Sequence, residues 1–215
     1  MKNSSNQIMN ELLERYPSLS YLKDNILKAS SEIVKSYQSG GKVLICGNGG
    51  SASDSDHIVG EFLKGFKLKR HLSNEETEKF KALFPDEYES LSSRLQGSLP
   101  AISLVSQAAI ISAFCNDVDP EMAYAQQVYG YANEGDILIG LSTSGNAKNV
   151  GNAIKVAKVK GAITIGFTGF SGGKMKDLCD ILINVPEHET FKIQEYHLPV
   201  YHAICAIVEN EIFGE

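Results

Sequence analysis

Acid–base or metal chemistry could be carried by His57 and Glu61, four residues apart, and by Gln194, Glu195, His197 and His202 in the apolar frame FKIQEYHLPVYHAICAIV. On a helix, residues i and i+4 share one face a turn apart, so an imidazole and a carboxylate at that spacing can meet. The same pair is also a common surface feature, and a histidine on an apolar helix is more often a satisfied core or interface residue. The residues alone leave both readings open. Gln194 and His202 would lie about 12 Å apart along one helix. Either their side chains converge from the two ends of that span, or they serve sites completed by different subunits. Pro199, between them, removes one backbone hydrogen bond and is expected to bend the helix.

Two loops rich in glycine and hydroxyl residues could hold an anion. The first is Gly47-Asn48-Gly49-Gly50-Ser51-Ala52-Ser53, and the second is Ser142-Thr143-Ser144-Gly145-Asn146. Each follows a short apolar run and opens a helix. Glycine lets backbone N–H groups approach an anion closely, and the positive end of the helix adds to the attraction. The first loop formally matches the dinucleotide pattern G-x-G-x-x-A through Gly47, Gly49 and Ala52. That pattern needs a second strand ending in an acid about 20 residues on, and the next convincing strand starts near residue 100. Neither loop contains the G-x-x-x-x-G-K-[ST] of a nucleoside-triphosphate site. Ordinary tight turns would not require three successive hydroxyls at Ser142, Thr143 and Ser144, so a monophosphate site is the better reading.

The elements around these loops alternate. Helical spacing over Ile8–Leu13 and Tyr21–Tyr37 predicts two N-terminal helices within residues 1–40, separated by Pro17, with Ser18 as N-cap of the second. Apolar runs at Val43–Cys46, Ala101–Val105, Ile137–Leu141, Ala162–Phe167 and Ile181–Val185 read as buried strands of a parallel sheet. Helices are predicted after them, including Ala147–Val159 and a last one from about Phe191 to Ile212. The expected fold is a three-layer α/β sandwich with a central parallel sheet and flavodoxin-like winding, a single domain over residues 1–215. Both loops then fall at the carboxyl ends of strands, where such sheets bind ligands. Residues 67–97 break the rhythm: they are polar, and Ser73 or Asn74 before Glu75-Glu76 marks a helix start. Phe80, Leu83 and Phe84 supply a narrow apolar stripe. This is read as a helical surface insertion, either a lid or a solvated excursion, with Lys67, Lys69 and Arg70 on a solvated face.

The 215 residues suit one domain with an elaboration, and 43% hydrophobic with 21% charged residues is globular composition. A net charge of -6 argues against nucleic-acid binding, which depends on clustered Lys and Arg. No run approaches the ~18–20 apolar residues of a membrane span, and the first twenty residues lack a signal-peptide core. Cys46, Cys115, Cys179 and Cys205 show no C-x-x-C pairing and read as buried small hydrophobes in a reducing, cytoplasmic compartment.

The pair C-G-N-G-G-S and S-T-S-G-N on successive strand ends resembles the sugar isomerase, or SIS, domain family, and within it the bacterial phosphoheptose isomerases. The likeness covers nearly the whole chain apart from 67–97. It implies conversion of sedoheptulose 7-phosphate to D-glycero-D-manno-heptose 7-phosphate, with Ser51, Ser142, Thr143 and Ser144 on the phosphate and Asn48, Gly49 and Gly50 shaping the pocket. It also implies Glu61 as base and His202 as acid, and a zinc site made of His57, Glu61, Gln194 and His202. Nickel or cobalt would suit the same donors. By analogy the protein is a homo-oligomer, a tetramer with composite active sites. Asn116-Asp117 resemble a pocket element of the family, with helix capping as the alternative. Many members carry a serine after S-T-S-G-N where this chain has Ala147. Some SIS proteins are regulators that keep the loops and lose the glutamate and the late histidine; this chain retains Glu61 and His202. An SIS enzyme for a different sugar phosphate is a further alternative, because the 67–97 segment could change which sugar is admitted.

Overall fold

The computed structural model describes residues 1–214. In chain order it contains α1 (Asn3–Arg15), a 3₁₀ turn (Pro17–Leu22), α2 (Lys23–Gln38), β1 (Val43–Gly47), α3 (Gly50–Leu63), α4 (Asn74–Leu83) and α5 (Tyr88–Ser92). There follow β2 (Ala101–Ser103), α6 (Ala108–Asp117), α7 (Ala123–Tyr131), β3 (Ile137–Leu141), α8 (Lys148–Val159), β4 (Ile163–Thr168), β5 (Ile181–Asn184) and α9 (Thr190–Phe213). The five strands form one parallel sheet in the order β2-β1-β3-β4-β5, which is flavodoxin-like winding.

The strands read as continuous apolar runs because both faces of the sheet are covered. Val43 and Ile45, Ile137 and Ile139, Ile165 and Phe167 point to the layer of α1, α2, α3 and α9. Leu44, Cys46 and Leu138 point to the layer that holds α7 and α8. Alternation along each strand thus feeds two cores, one on each side. Because β1 sits between β2 and β3, the crossovers leaving β1 and β3 diverge, and a crevice opens between the loops at their carboxyl ends.

Several local expectations need correction. Ser18 caps nothing: Pro17–Leu22 forms the 3₁₀ turn, α2 starts at Lys23, and the Ser18 hydroxyl instead bonds Tyr196 Oη at 3.0 Å. Once Pro17 sets the turn, the chain is already helical at Leu22, so no capping conformation is needed. Cys46 and Cys205 are buried, but Cys115 and Cys179 are half-buried; all four are free thiols. Arg70 lies on no solvated face. Its side chain is fully buried and pairs with Glu209 at 2.7 Å, because three hydrogen-bond acceptors surround its guanidinium.

The polar stretch leaves and rejoins the domain at one point. Gly97 N–H donates to the Arg70 carbonyl at 2.7 Å, and Leu99 N–H to that of Phe62 at 3.0 Å. Within it, Ser73 and Glu76 form a reciprocal capping box that starts α4. No residue of α4 is buried, and Leu83 and Phe84 are 72% and 49% exposed. Phe80 is half-buried and α4 packs against α5, so Leu83 and Phe84 are the part of the stripe that stays open.

Candidate active site

The β1 loop enters α3 at Gly50, and the β3 loop enters α8 at Lys148. The two are joined by a reciprocal amide pair. Asn48 Nδ2 donates to Asn149 Oδ1, and Asn149 Nδ2 to Asn48 Oδ1, both at 2.9 Å. Tyr124 Oη donates to the Gly47 carbonyl at 2.7 Å and anchors the same loop from α7. Ser51 is buried in the first turn of α3, while Thr143 is half-buried and Ser144 exposed. Ser142 Oγ accepts from Ala147 N–H at 3.4 Å, so the backbone group at the position that lacks a serine is turned toward the loop itself. Gly145 has φ +66°, and a Cβ there would lie 2.1 Å from the Gly172 carbonyl oxygen. The Gly172-Gly173 turn after β4 therefore buttresses the hydroxyl loop by close backbone contact. Asn149, Tyr124 and this glycine turn were not singled out for the site from sequence; their roles depend on contacts across elements.

Helices α3 and α9 run parallel. Gly50 faces Gln194, whose Nε2 a Cβ at Gly50 would meet at 2.6 Å, and seven residues further along each helix His57 faces Tyr201. Gln194 therefore stands beside the β1 loop, and His202 stands two turns away with His57. The His57 and His202 rings are 5.0 Å apart, edge to face. His57 Nε2 lies 3.2 Å from Glu61 Oε1, and Lys64 Nζ donates to Glu61 Oε2 at 3.0 Å. The structure thus brings His57, Glu61 and His202 together and leaves Gln194 at the other end of α3.

His202 Nε2 is buried without a partner among the described residues. Burial holds its imidazole below the usual histidine range, and a charged His57 nearby would lower it further. His202 lines a groove of ≈ 370 Å³ between α1 and α9, together with Leu12, Tyr16, Phe66 and Leu198. His197 is a core residue instead: its Nε2 donates to the Thr168 carbonyl at 3.2 Å, and burial pushes its pKa down to about 4. Behind His57, Tyr201 Oη lies 3.0 Å from His57 Nδ1 and 3.1 Å from Asp54 Oδ1. Burial raises the Asp54 carboxyl above its ordinary value, and burial together with the Asp54 charge raises the Tyr201 phenol. The i, i+3 spacing of Asp54 and His57 was a usable signal for this group. Tyr201 had none, since its neighbours come from another helix.

Asn116 and Asp117 lie exposed at the C-terminal end of α6, with Asn116 Nδ2 donating to Asp117 Oδ1 at 2.8 Å. They cap no helix start; Asp119 does that for the following 3₁₀ turn. No hydrogen bond ties either one to the two loops.

As donors, two imidazoles and a carboxylate suit zinc in kind, and the orphaned His202 nitrogen is a free ligand atom. In spacing they fall short: among the described residues no three His, Cys, Asp or Glu side chains converge as a metal site would require. None of the helices among the described residues is long and apolar enough to cross a membrane.

Residues 97–207 match the SIS domain family model, and residues 6–84 match a second SIS domain model. A phosphoheptose isomerase from Burkholderia pseudomallei is 40% identical over 190 residues, 88% of this chain and 83% of that protein. The solved phosphoheptose isomerase of Francisella tularensis superposes with a TM-score of 0.73 at 30% identity, covering 96% of this chain and 93% of the other. That of Neisseria gonorrhoeae superposes at 0.71 with 28% identity, covering 96% and 94%.

Proposed function

Because the chain belongs to the SIS domain family and groups with its phosphoheptose isomerases, we propose that it interconverts sedoheptulose 7-phosphate and D-glycero-D-manno-heptose 7-phosphate. That it is a sugar-phosphate isomerase follows from its relatives; the sugar and the residue roles are our reading. One observation carries it. Two hydroxyl loops share the crevice between β1 and β3, and the helix that leaves the first loop carries His57 and Glu61 to meet His202.

In this reading, backbone N–H groups and the hydroxyls of Ser51, Ser142, Thr143 and Ser144 hold the phosphate, with Asn48, Gly49 and Gly50 shaping the cradle. Aldose–ketose interconversion moves a proton between adjacent carbons through an enediol. The Glu61 carboxylate takes the proton from C1 and returns it to C2. The His202 imidazole donates a proton to O2 as the enediol forms and recovers one from O1 as the aldehyde forms, so that both exchanges balance. Asn116, Asp117 and Gln194 stay proposed contacts to the sugar. Zinc stays a proposal limited to His57, Glu61 and His202 as donors, with Gln194 joining only from elsewhere in an oligomer; when bound it would polarise a substrate oxygen. No step here depends on it.

We also propose a homotetramer with sites completed across subunits. Gln194 and His202 face opposite ends of α3 within one chain, which supports that arrangement. Ile110 on α6 and Leu198 beside the groove are partly exposed apolar residues available for contacts between copies.

The test is a coupled isomerase assay on metal-stripped protein, with and without added zinc. Turnover of sedoheptulose 7-phosphate is expected, with Glu61→Gln losing about 10²–10⁴-fold in kcat while still binding phosphosugar. An unchanged kcat in Glu61→Gln removes the assignment of the base. Folded protein without turnover in either condition moves the reading to another sugar phosphate or to a regulatory SIS protein.

A further inference from the structure

We infer that Asn149 is a positioning residue: it holds the Asn48 carboxamide in one orientation, with a single Nδ2 hydrogen left over to donate to the phosphosugar. The inference rests on the phosphate reading of the two loops. Asn48 is exposed and lies between Gly47 and Gly49, so its neighbours in the chain restrain its side chain little. Beyond the pairing of β1 with β3, the two 2.9 Å bonds between Asn48 and Asn149 are the only hydrogen bonds among the described residues that join the β1 loop to the β3 loop and the start of α8. Tyr124 Oη is 3.5 Å from Asn48 Oδ1, but its one proton goes to the nearer Gly47 carbonyl at 2.7 Å.

The orientation of the amide pair is decided at its far side. Asn149 Oδ1 also accepts from the Val150 N–H at 2.9 Å. A backbone N–H can only donate, so the oxygen of the Asn149 carboxamide must be the atom that faces it. With that oxygen fixed, Asn48 must present Nδ2 to Asn149 Oδ1 and Oδ1 to Asn149 Nδ2. Turning the Asn48 amide over would set nitrogen against nitrogen and oxygen against oxygen. Asn48 Nδ2 carries two hydrogens, and Asn149 takes one of them. The other has no acceptor among the described residues, and a phosphate or hydroxyl oxygen of a ligand in the crevice can supply one. An Asn48 free to turn would also offer its oxygen to the same anion, which repels it. Holding the donor in place before the ligand arrives removes that ordering cost from binding.

The experiment uses full-length protein, with inorganic phosphate titrated by calorimetry and sedoheptulose 7-phosphate for kinetics. Asn149→Ala is expected to weaken phosphate binding about 5–20-fold and to raise KM by a similar factor. Its kcat should stay within about twofold, since the contact serves ground state and transition state alike. Asn48→Ala should lose about 10–100-fold in phosphate affinity. In the Asn48→Ala background, Asn149→Ala should cost less than about twofold, because Asn149 acts through Asn48. Asn152→Ala, further along α8 where the side chain bonds the Glu121 carbonyl, should leave phosphate affinity unchanged. The side-chain amide NMR signals of Asn48, assigned by their loss in Asn48→Ala, should move in Asn149→Ala and stay in Asn152→Ala. Equal losses from Asn149→Ala with and without Asn48 overturn the inference, as does unchanged phosphate affinity in Asn149→Ala. If that variant melts early, Asn149→Asp, whose carboxylate suits a helix start, is judged on the Asn48 amide signals, and unmoved signals overturn the inference. A parent protein that binds no phosphate removes the phosphate reading and the inference with it. Unmoved Asn48 signals in a phosphate-binding parent background overturn the inference alone.

Discussion

At the scale of single residues, the site depends on a few close approaches. Gly145 combines a positive φ with a backbone contact that leaves no room for a methyl group. Gly145→Ala should therefore displace the Gly172-Gly173 turn and destabilise the fold by about 1–3 kcal/mol. Gly130 in α7 has open space around it, and Gly130→Ala should be neutral or slightly stabilising. Urea denaturation of both variants, with calorimetric titration of inorganic phosphate, checks this. Gly145→Ala is expected to lose phosphate affinity and Gly130→Ala to keep it. Phosphate binding unchanged in Gly145→Ala would remove the second loop from the anion site. The hydroxyls of this loop were legible in sequence because consecutive hydroxyls after a strand are chemically unusual. The buttress beneath them was not, since a glycine pair nearly thirty residues on gives no sign of what it touches.

At the scale of elements, the end of α3 is held by a buried ion pair. Arg70 Nη1 and Nη2 donate to the carbonyls of Phe62 and Glu61 at 2.7 and 3.0 Å, where a helix end favours a cation. Glu209 on α9 accepts from Arg70 Nε and from the N–H groups of Phe66, Lys67 and Leu68. Burial pushes the Glu209 carboxyl up, but those N–H groups and the guanidinium outweigh it and leave it below its ordinary value. A depressed carboxyl contributes stability that is fully present above the unfolded pKa of about 4.3 and is lost as pH falls through the folded value. Arg70→Met alone should cost about 3–5 kcal/mol, since it strands a buried carboxylate. The double variant Arg70→Met, Glu209→Leu should cost much less and lose less stability than the parent between pH ~5 and ~3. Unfolding free energies across that range decide it; parallel pH profiles for parent and double variant would contradict the account. From sequence, Arg70 was one of three basic residues in a polar stretch, and nothing local distinguished the one that turns inward.

At the scale of the whole molecule, the parallel run of α3 and α9 separates the phosphate end, with Gln194, from the acid–base end, with His202. If the catalytic set is completed across subunits, inactive variants at the two ends should complement each other. Co-expressed His202→Asn and Thr143→Val chains, carrying different tags, should regain roughly a quarter of the parent sites in mixed oligomers. No recovery in purified mixed oligomers would place the whole set within one chain.

Local pattern alone is enough for the alternation of strands and helices, the parallel sheet covered on both faces and the position of both loops at strand ends. Those features follow from local periodicity and from the burial of both sheet faces. It also carried the His57–Glu61 pair, because an i, i+4 spacing is a distance along one helix. Packing between elements sets which end of α3 each α9 residue meets. It placed Tyr201 behind His57, Gln194 over Gly50 and Arg70 inside the fold. Those choices depend on the register between two helices more than a hundred residues apart in the chain, and that register is set by packing against the sheet, which no local pattern records.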